Sequence, residues 1–120
     1  MEDAWFTGVA DELARCLVDA RVCAGACERL LEDTRRLDDG ELQRQVVAAL
    51  VGPAAVARVL IELIDQPPSL VLACCRLCRE SAQAAVEQLD GLGARIDGAD
   101  AIAALRDSAS SCGRLLDAAS

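Results

Sequence analysis

The chain has 120 residues, of which 53% are hydrophobic, 2% are aromatic and none is histidine, and its net charge is −8. Alanine, leucine and valine supply most of the apolar residues, which favours an all-α domain over a sheet. The excess of acid argues against nucleic acid as a partner, and no apolar run reaches the roughly 18 residues of a membrane span.

Three breaks divide the chain into four amphipathic stretches. They lie at residues 38–40, 65–69 and 91–97. We expect Pro68 or Ser69 to begin the third helix, Gly91 to take the left-handed position after it, and Asp97 or Asp100 to cap the fourth. Because short connections join antiparallel neighbours, the pattern predicts an up-down-up-down four-helix bundle that forms a single domain over residues 1–120.

Each stretch repeats its core-type residues at spacings of three and four, which is typical of the buried face of a helix. The first repeat comprises Phe6, Val9, Leu13, Cys16, Ala20, Cys23, Cys27, Leu30, Thr34 and Leu37. The second comprises Val46, Leu50, Pro53, Ala57, Leu60 and Ile64, and the third Val71, Cys75, Cys78, Ala82, Ala85 and Leu89. The fourth comprises Ala101, Leu105, Ser108, Cys112, Leu115 and Ala119. Six of the seven cysteines therefore face the predicted core, and Cys74 lies beside it. Pro53 is expected to bend the second helix.

The heights of the cysteines along the bundle can be counted, because a helix rises about 1.5 Å per residue. The count predicts that one layer of the core gathers five thiols, namely Cys16, Cys23, Cys75, Cys78 and Cys112. Cys27 should lie about one turn above this layer, and the second helix contributes no sulfur to it. The sequence therefore predicts that thiols from three helices converge.

Local spacing adds to this prediction. Cys23 and Cys27, like Cys74 and Cys78, are four residues apart, and Cys75 and Cys78 are three apart. Both spacings place two thiols on one helix face. Thiolates are soft ligands that suit Cu(I). The acidic start of the chain lacks the features of a signal peptide, so we expect a cytoplasmic protein, in which clustered cysteines bind metal more often than they form disulfides.

The sequence therefore predicts that the core cysteines bind and sequester Cu(I), and three alternatives to this function remain open. Four core cysteines can hold a [4Fe-4S] cluster in an electron carrier or sensor, four thiolates can bind Zn, and buried thiols can pack as inert hydrophobes in a structural or partner-binding bundle. An enzyme is not expected, since the sequence has no histidine, no Gly-rich phosphate loop and no Gly-x-Ser-x-Gly motif. Asp19 adjoins the predicted thiol layer and is a candidate additional ligand.

Two segments resemble the bacterial copper-storage proteins, which are small four-helix bundles with many cysteines that hold Cu(I) in their interior. The segments are residues 14–33 (ARCLVDARVCAGACERLLED) and 64–81 (IDQPPSLVLACCRLCRES). The resemblance extends to the helix lengths and to the Asp-x-Pro turn before the third helix. It implies that six residues are copper ligands, namely Cys16, Cys23, Cys27, Cys75, Cys78 and Cys112, and that the chain forms a homo-oligomer. In the Cu(I) hypothesis, Cys74 is an auxiliary ligand.

The chain departs from that family in several respects. The family has more cysteines, including several on the second helix, and histidines at the mouth of the bundle, whereas Ala20, Ala82 and Ala85 stand here where further thiols would be. The resemblance thus implies that a few ions are bound, not a large store. Some proteins of this broader group are labelled ferredoxins, which keeps the iron–sulfur alternative in view.

Overall fold

A computed structural model describes the backbone of residues 2–120 and the side chains from Gly8 onward. Four helices follow in chain order: α1 (Glu2–Arg35), α2 (Gly40–Glu62), α3 (Pro68–Leu92) and α4 (Ala99–Ala119). A short 3₁₀ turn, Gly93–Arg95, separates α3 from α4. No strand occurs in the described residues, so the predicted all-α four-helix bundle is confirmed.

The helices form a ring in which α1 contacts α2 and α4, and α3 contacts the same two helices. In this ring, α2 lies diagonally opposite α4. The molecule is an elongated rod of 53 × 20 × 17 Å. The core divides into two clusters along the rod. One is centred on Leu50 and Leu105, and the other on Leu60, Val71 and Leu115.

The helix boundaries follow local chemistry. The carboxylate of Asp39 accepts a hydrogen bond from the backbone N–H of Leu42 at 3.0 Å, which caps α2. Pro68 begins α3, as predicted, because a proline loses no helical hydrogen bond in the first turn. α2 continues through Pro53, which is buried, and a bend at this proline stays a prediction.

Two boundary predictions were wrong. The left-handed glycine after α3 is Gly93, with φ +56°, because α3 continues through Gly91 to Leu92. Neither Asp97 nor Asp100 caps α4. Its N-cap is Gly98, which has no side chain to accept a hydrogen bond.

The predicted core positions are buried almost throughout. All seven cysteines are buried, and Ser108 and Thr34 are 0% and 2% exposed. Leu37 follows the end of α1 and is 41% exposed, so it does not belong to the core. The predicted core position of Phe6 lies outside the residues whose side chains are described.

α2 is unusual among the helices because its length and hydropathy satisfy the criteria for a membrane span. Only 39% of its most apolar window is buried within the bundle. A core helix of a water-soluble bundle satisfies the same criteria, so length and composition alone are weak evidence for a membrane. The observation does establish that much of the apolar surface of α2 faces outward.

Candidate metal centre

Three cysteines from three different helices converge in the core. Cys16 of α1, Cys75 of α3 and Cys112 of α4 place their Sγ atoms within 4.8 Å of one another. The distance between the Sγ atoms of Cys16 and Cys112 is 3.5 Å. All three side chains are 0% exposed. We call this group the thiol trio, and it is the one group of three or more potential metal ligands within the described part of the chain.

Helix geometry explains the convergence. Each of the three cysteines occupies a core-facing position of its helix. In the ring, α4 lies between α1 and α3, and α3 lies between α4 and α2. The fourth helix around this level, α2, presents Ala57 and Leu60, which belong to the same core cluster. The trio is thus enclosed by apolar side chains on the α2 side, as the sequence predicted.

Cys78 extends the trio by one turn of α3. Its Sγ lies 3.6 Å from the hydroxyl of Ser108 on α4, and its thiol also interacts with that of Cys112. Ser108 is 0% exposed and is the polar residue one turn before Cys112. Sequence reasoning placed Ser108 in the core but assigned it no role. A lone hydroxyl on an otherwise apolar helix face, four residues before a cysteine, is the signal that would have identified it.

Cys23 and Cys27 form a separate pair on α1. The two thiols interact with each other, and Cys23 also interacts with Ser108. Both belong to the core cluster that does not contain the trio. The predicted layer of five thiols is thus divided between two core clusters, a trio with Cys78 and a pair, and Ser108 and Cys78 connect them.

Cys74 lies apart from both groups. Its Sγ is 3.8 Å from the backbone carbonyl oxygen of Val56 on α2, at the contact between α2 and α3. It is 8% exposed and is the most exposed of the seven cysteines. This position matches the predicted flank of the core, and it makes Cys74 the poorest candidate for a ligand of the trio.

Asp19 does not join the thiols. Its carboxylate accepts a hydrogen bond from the hydroxyl of Ser111, the residue before Cys112. Arg114 donates a second hydrogen bond to the same hydroxyl at 3.2 Å. Ser111 is 1% exposed, so this polar network fixes α1 against α4 next to the trio. Asp19 is thereby a positioning residue at the edge of the site.

The protonation of the trio is governed by its hydrogen bonds and its burial. The pKa of Cys112 is raised by its hydrogen bond to Cys16 and by burial, and that of Cys75 is raised by its interaction with Cys112 and by burial. The hydrogen bond with Cys112 lowers the pKa of Cys16, but Cys75 and burial outweigh this effect, so the net direction is upward. Burial and mutual hydrogen bonding thus favour the protonated thiols of the trio when no metal is bound.

Cys78 behaves in the opposite way. Its pKa is lowered to about 7 by hydrogen bonding with the thiol of Cys112 and the hydroxyl of Ser108, against the opposing effect of burial. Interaction with Cys23 likewise lowers the pKa of Cys27, whereas burial raises that of Cys74. Since the thiolate is the form that binds metal, Cys78 is the most readily available ligand next to the trio.

The arrangement suits a soft metal ion. Three sulfurs on three helices surround one point, no water-exposed ligand takes part, and thiolates select Cu(I), Zn and iron–sulfur clusters over hard cations. The described structure thus contains a buried cysteine group that can hold a metal ion. No protein-family description matches the chain, and comparison with curated proteins and with solved structures gave no match.

Proposed function

We propose that this protein binds Cu(I) through the thiol trio and sequesters or buffers the ion in the cytoplasm. The observation that carries the proposal is the convergence of three buried Sγ atoms within 4.8 Å. The resemblance of residues 14–33 and 64–81 to copper-storage proteins points to the same ion. A reducing compartment would keep the seven free thiols available.

The distances favour three-coordinate binding. Three sulfurs in a plane, each about 2.3 Å from one ion, are about 4.0 Å apart. The trio has one distance of 3.5 Å and none above 4.8 Å, so small side-chain adjustments would place its sulfurs around one ion. Cu(I) accepts this low coordination number, whereas Zn is almost always four-coordinate in structural sites.

Burial adds selectivity. Because the trio is 0% exposed, a bound ion would lose its water and keep only sulfur ligands, which disfavours hard cations that dehydrate reluctantly. The raised pKa values of the trio mean that binding must displace protons, so the apparent affinity should increase with pH. The neighbouring thiol of Cys78, whose pKa is about 7, supplies a thiolate that would capture the ion first.

Capacity in this proposal is low. The trio accounts for one ion, and the Cys23–Cys27 pair offers a second, two-coordinate position on α1. α2 carries no thiol, so the ladder of ligands that a storage protein needs is absent from one side of the bundle. Buffering of one or two ions therefore fits the chain better than bulk storage.

The test is an anaerobic titration of the reduced protein with Cu(I) in competition with a strong Cu(I) chelator. The proposal predicts tight binding of the first equivalent, with loss of that equivalent in Cys16→Ser, Cys75→Ser or Cys112→Ser and its retention in Cys74→Ser. Elemental analysis and a visible spectrum of anaerobically purified protein provide the second arm. A brown protein that contains iron and sulfide, or a tightly bound Zn that Cu(I) does not displace, would overturn the choice of copper.

A further inference from the structure

The outer face of α2 is apolar over most of its length. Val47, Val51 and Val59 are 44%, 52% and 51% exposed, and the small residues Gly52 and Ala55 lie between them. A side chain at Gly52 would meet no other atom within 4 Å, so the middle of this face is open. α2 contacts α1 and α3 and lies diagonally opposite α4, which leaves this face without a partner in the bundle.

The apolar face continues onto α3. Cys74 contacts Val56 where the two helices meet. Leu70 and Leu77 precede and follow Cys74 by four and three residues, so helical periodicity places them on the same side of α3, next to α2. They are 49% and 54% exposed. We define the α2–α3 face by its five large apolar residues: Val47, Val51, Val59, Leu70 and Leu77.

The charges at the ends of α2 are complementary under a two-fold rotation. Arg44 and Glu62 are both exposed and share the angular position of Val51 on the helix. When two copies of α2 lie antiparallel and cross level with Pro53, Arg44 of each copy is opposite Glu62 of the other. The same register places Val47 opposite Val59 and Val51 opposite Ala55. In a parallel arrangement, each of these charges would instead meet its own copy.

No other contact uses these two charges. Within the described residues, neither Arg44 nor Glu62 forms an ion pair. Arg58, seven residues after Val51 on the same side of α2, pairs with Glu28 of α1. The face thus carries one ion-paired arginine near its middle and one unpaired charge of opposite sign toward each end.

We propose that a second copy of this chain covers the α2–α3 face, with the two α2 helices antiparallel and their centres near Pro53. This inference does not depend on the metal. A two-fold interface must be self-complementary, and the Arg44–Glu62 arrangement provides that property. Five half-exposed side chains and the small residues between them offer on the order of 500 Å² per copy, or about 1,000 Å² in total, which predicts a reversible dimer at the lower limit of specific interfaces.

A membrane is the less suitable occupant. A lipid surface would bury the valines but would leave Arg44 and Glu62 without partners, and the net charge of −8 opposes approach to an anionic leaflet. The side of α2 that faces the core also carries Leu50 and Leu60, which are 0% and 1% exposed. Insertion of α2 into a bilayer would remove these residues from the core.

Sedimentation velocity of the reduced full chain across the micromolar range tests the proposal. We expect a monomer–dimer equilibrium that Val51→Glu weakens at least about tenfold. Val22→Glu is the matched control, because Val22 is 53% exposed on α1, outside this face, and it should leave the equilibrium unchanged. Circular dichroism verifies that each variant is folded.

Charge reversal tests the register. Arg44→Glu alone and Glu62→Arg alone should each weaken the dimer, because each places like charges opposite one another, and the double variant should restore it. A monomer at every concentration, or a dimer that ignores both Val51→Glu and the charge reversals, would overturn the proposal. Co-flotation of the protein with neutral phosphatidylcholine vesicles, abolished by Val51→Glu, would also overturn it in favour of a lipid surface.

Discussion

Replacement of Cys112 by serine tests the metal site most selectively. The Sγ of Cys112 lies 3.5 Å from that of Cys16 and within 4.8 Å of that of Cys75, so the change removes one of three thiolates and leaves the other two in place. An outer-shell substitution at a metal site typically costs 10- to 100-fold in affinity. Loss of a direct ligand should exceed this, so we expect at least about a hundredfold weaker binding of the first Cu(I), or about 2.7 kcal/mol.

The cost to folding should be smaller. Exchange of one buried sulfur for a hydroxyl removes packing at a fully buried position, and we expect about 1–2 kcal/mol of lost stability. That is within the 5–15 kcal/mol of a typical domain, so the variant should remain a folded bundle. The loss of copper affinity can then be assigned to the missing ligand.

The assay is anaerobic competition for Cu(I) against a chelator, with urea unfolding of the same metal-free samples. Cys74→Ser is the matched control, because Cys74 is a buried thiol that contacts Val56 of α2 instead of the trio. Equal losses of affinity in the Cys112 and Cys74 variants, or full affinity in the Cys112 variant, would refute the reasoning.

Three further predictions concern the metal-free protein. Five thiols have raised pKa values in the fold: Cys16, Cys23, Cys74, Cys75 and Cys112. The unfolded chain loses these protons near pH 8.5 while the fold retains them, so the free energy of unfolding should fall above about pH 9, by up to about 1.4 kcal/mol per pH unit for each thiol. Urea unfolding from about pH 8 to about pH 10 measures this decrease. The lowered pKa values of Cys78 and Cys27 make the free energy of unfolding rise with pH instead, but only at lower pH. Ser108→Ala should raise the pKa of Cys78 from about 7, because the hydroxyl that is hydrogen-bonded to its sulfur is removed. The ultraviolet absorbance of the thiolate, followed against pH, measures this pKa. Gly93→Ala should cost about 1 kcal/mol in thermal or urea unfolding, since Gly93 has φ +56°, whereas Gly91→Ala within α3 should be neutral or stabilising.

Each of these predictions has a clear contrary result. Stability that is constant or rises above pH 9 would show that the thiols ionise as freely in the fold as in the unfolded chain. An unchanged thiolate titration in Ser108→Ala would remove the hydroxyl from the electrostatics of the site. Equal effects of alanine at Gly93 and Gly91 would contradict the left-handed conformation of Gly93.

The sequence placed the three thiols of the trio in one predicted layer, together with Cys23 and Cys78, because helices are rigid and rise uniformly. Core-facing spacing selects Cys16, Cys75 and Cys112, and counting about 1.5 Å per residue places them at similar heights. The same arithmetic should have excluded Cys23 from this layer, because seven residues separate it from Cys16, which is about 10 Å along α1. The predicted layer was broader than one metal site can be.

Other features of the structure could not be predicted from the spacing of residues in the sequence. Aspartates at positions 97 and 100 favour a helix cap, but the N-cap of α4 is Gly98, and local preference alone does not fix a helix boundary to within one or two residues. The hydrogen bond from Ser111 to Asp19 joins residues 92 positions apart in the chain. A contact of this kind depends on the rotation of α1 relative to α4, which hydrophobic spacing determines only approximately.

The central claim is that three sulfurs from three helices bind one ion. X-ray absorption at the copper edge, on protein loaded anaerobically with one equivalent of Cu(I), tests it most directly. The account predicts three sulfur neighbours at about 2.3 Å, reduced in number when Cys112 is replaced by serine. Two sulfur neighbours that persist in that variant would instead assign the first ion to Cys23 and Cys27, and would contradict the account.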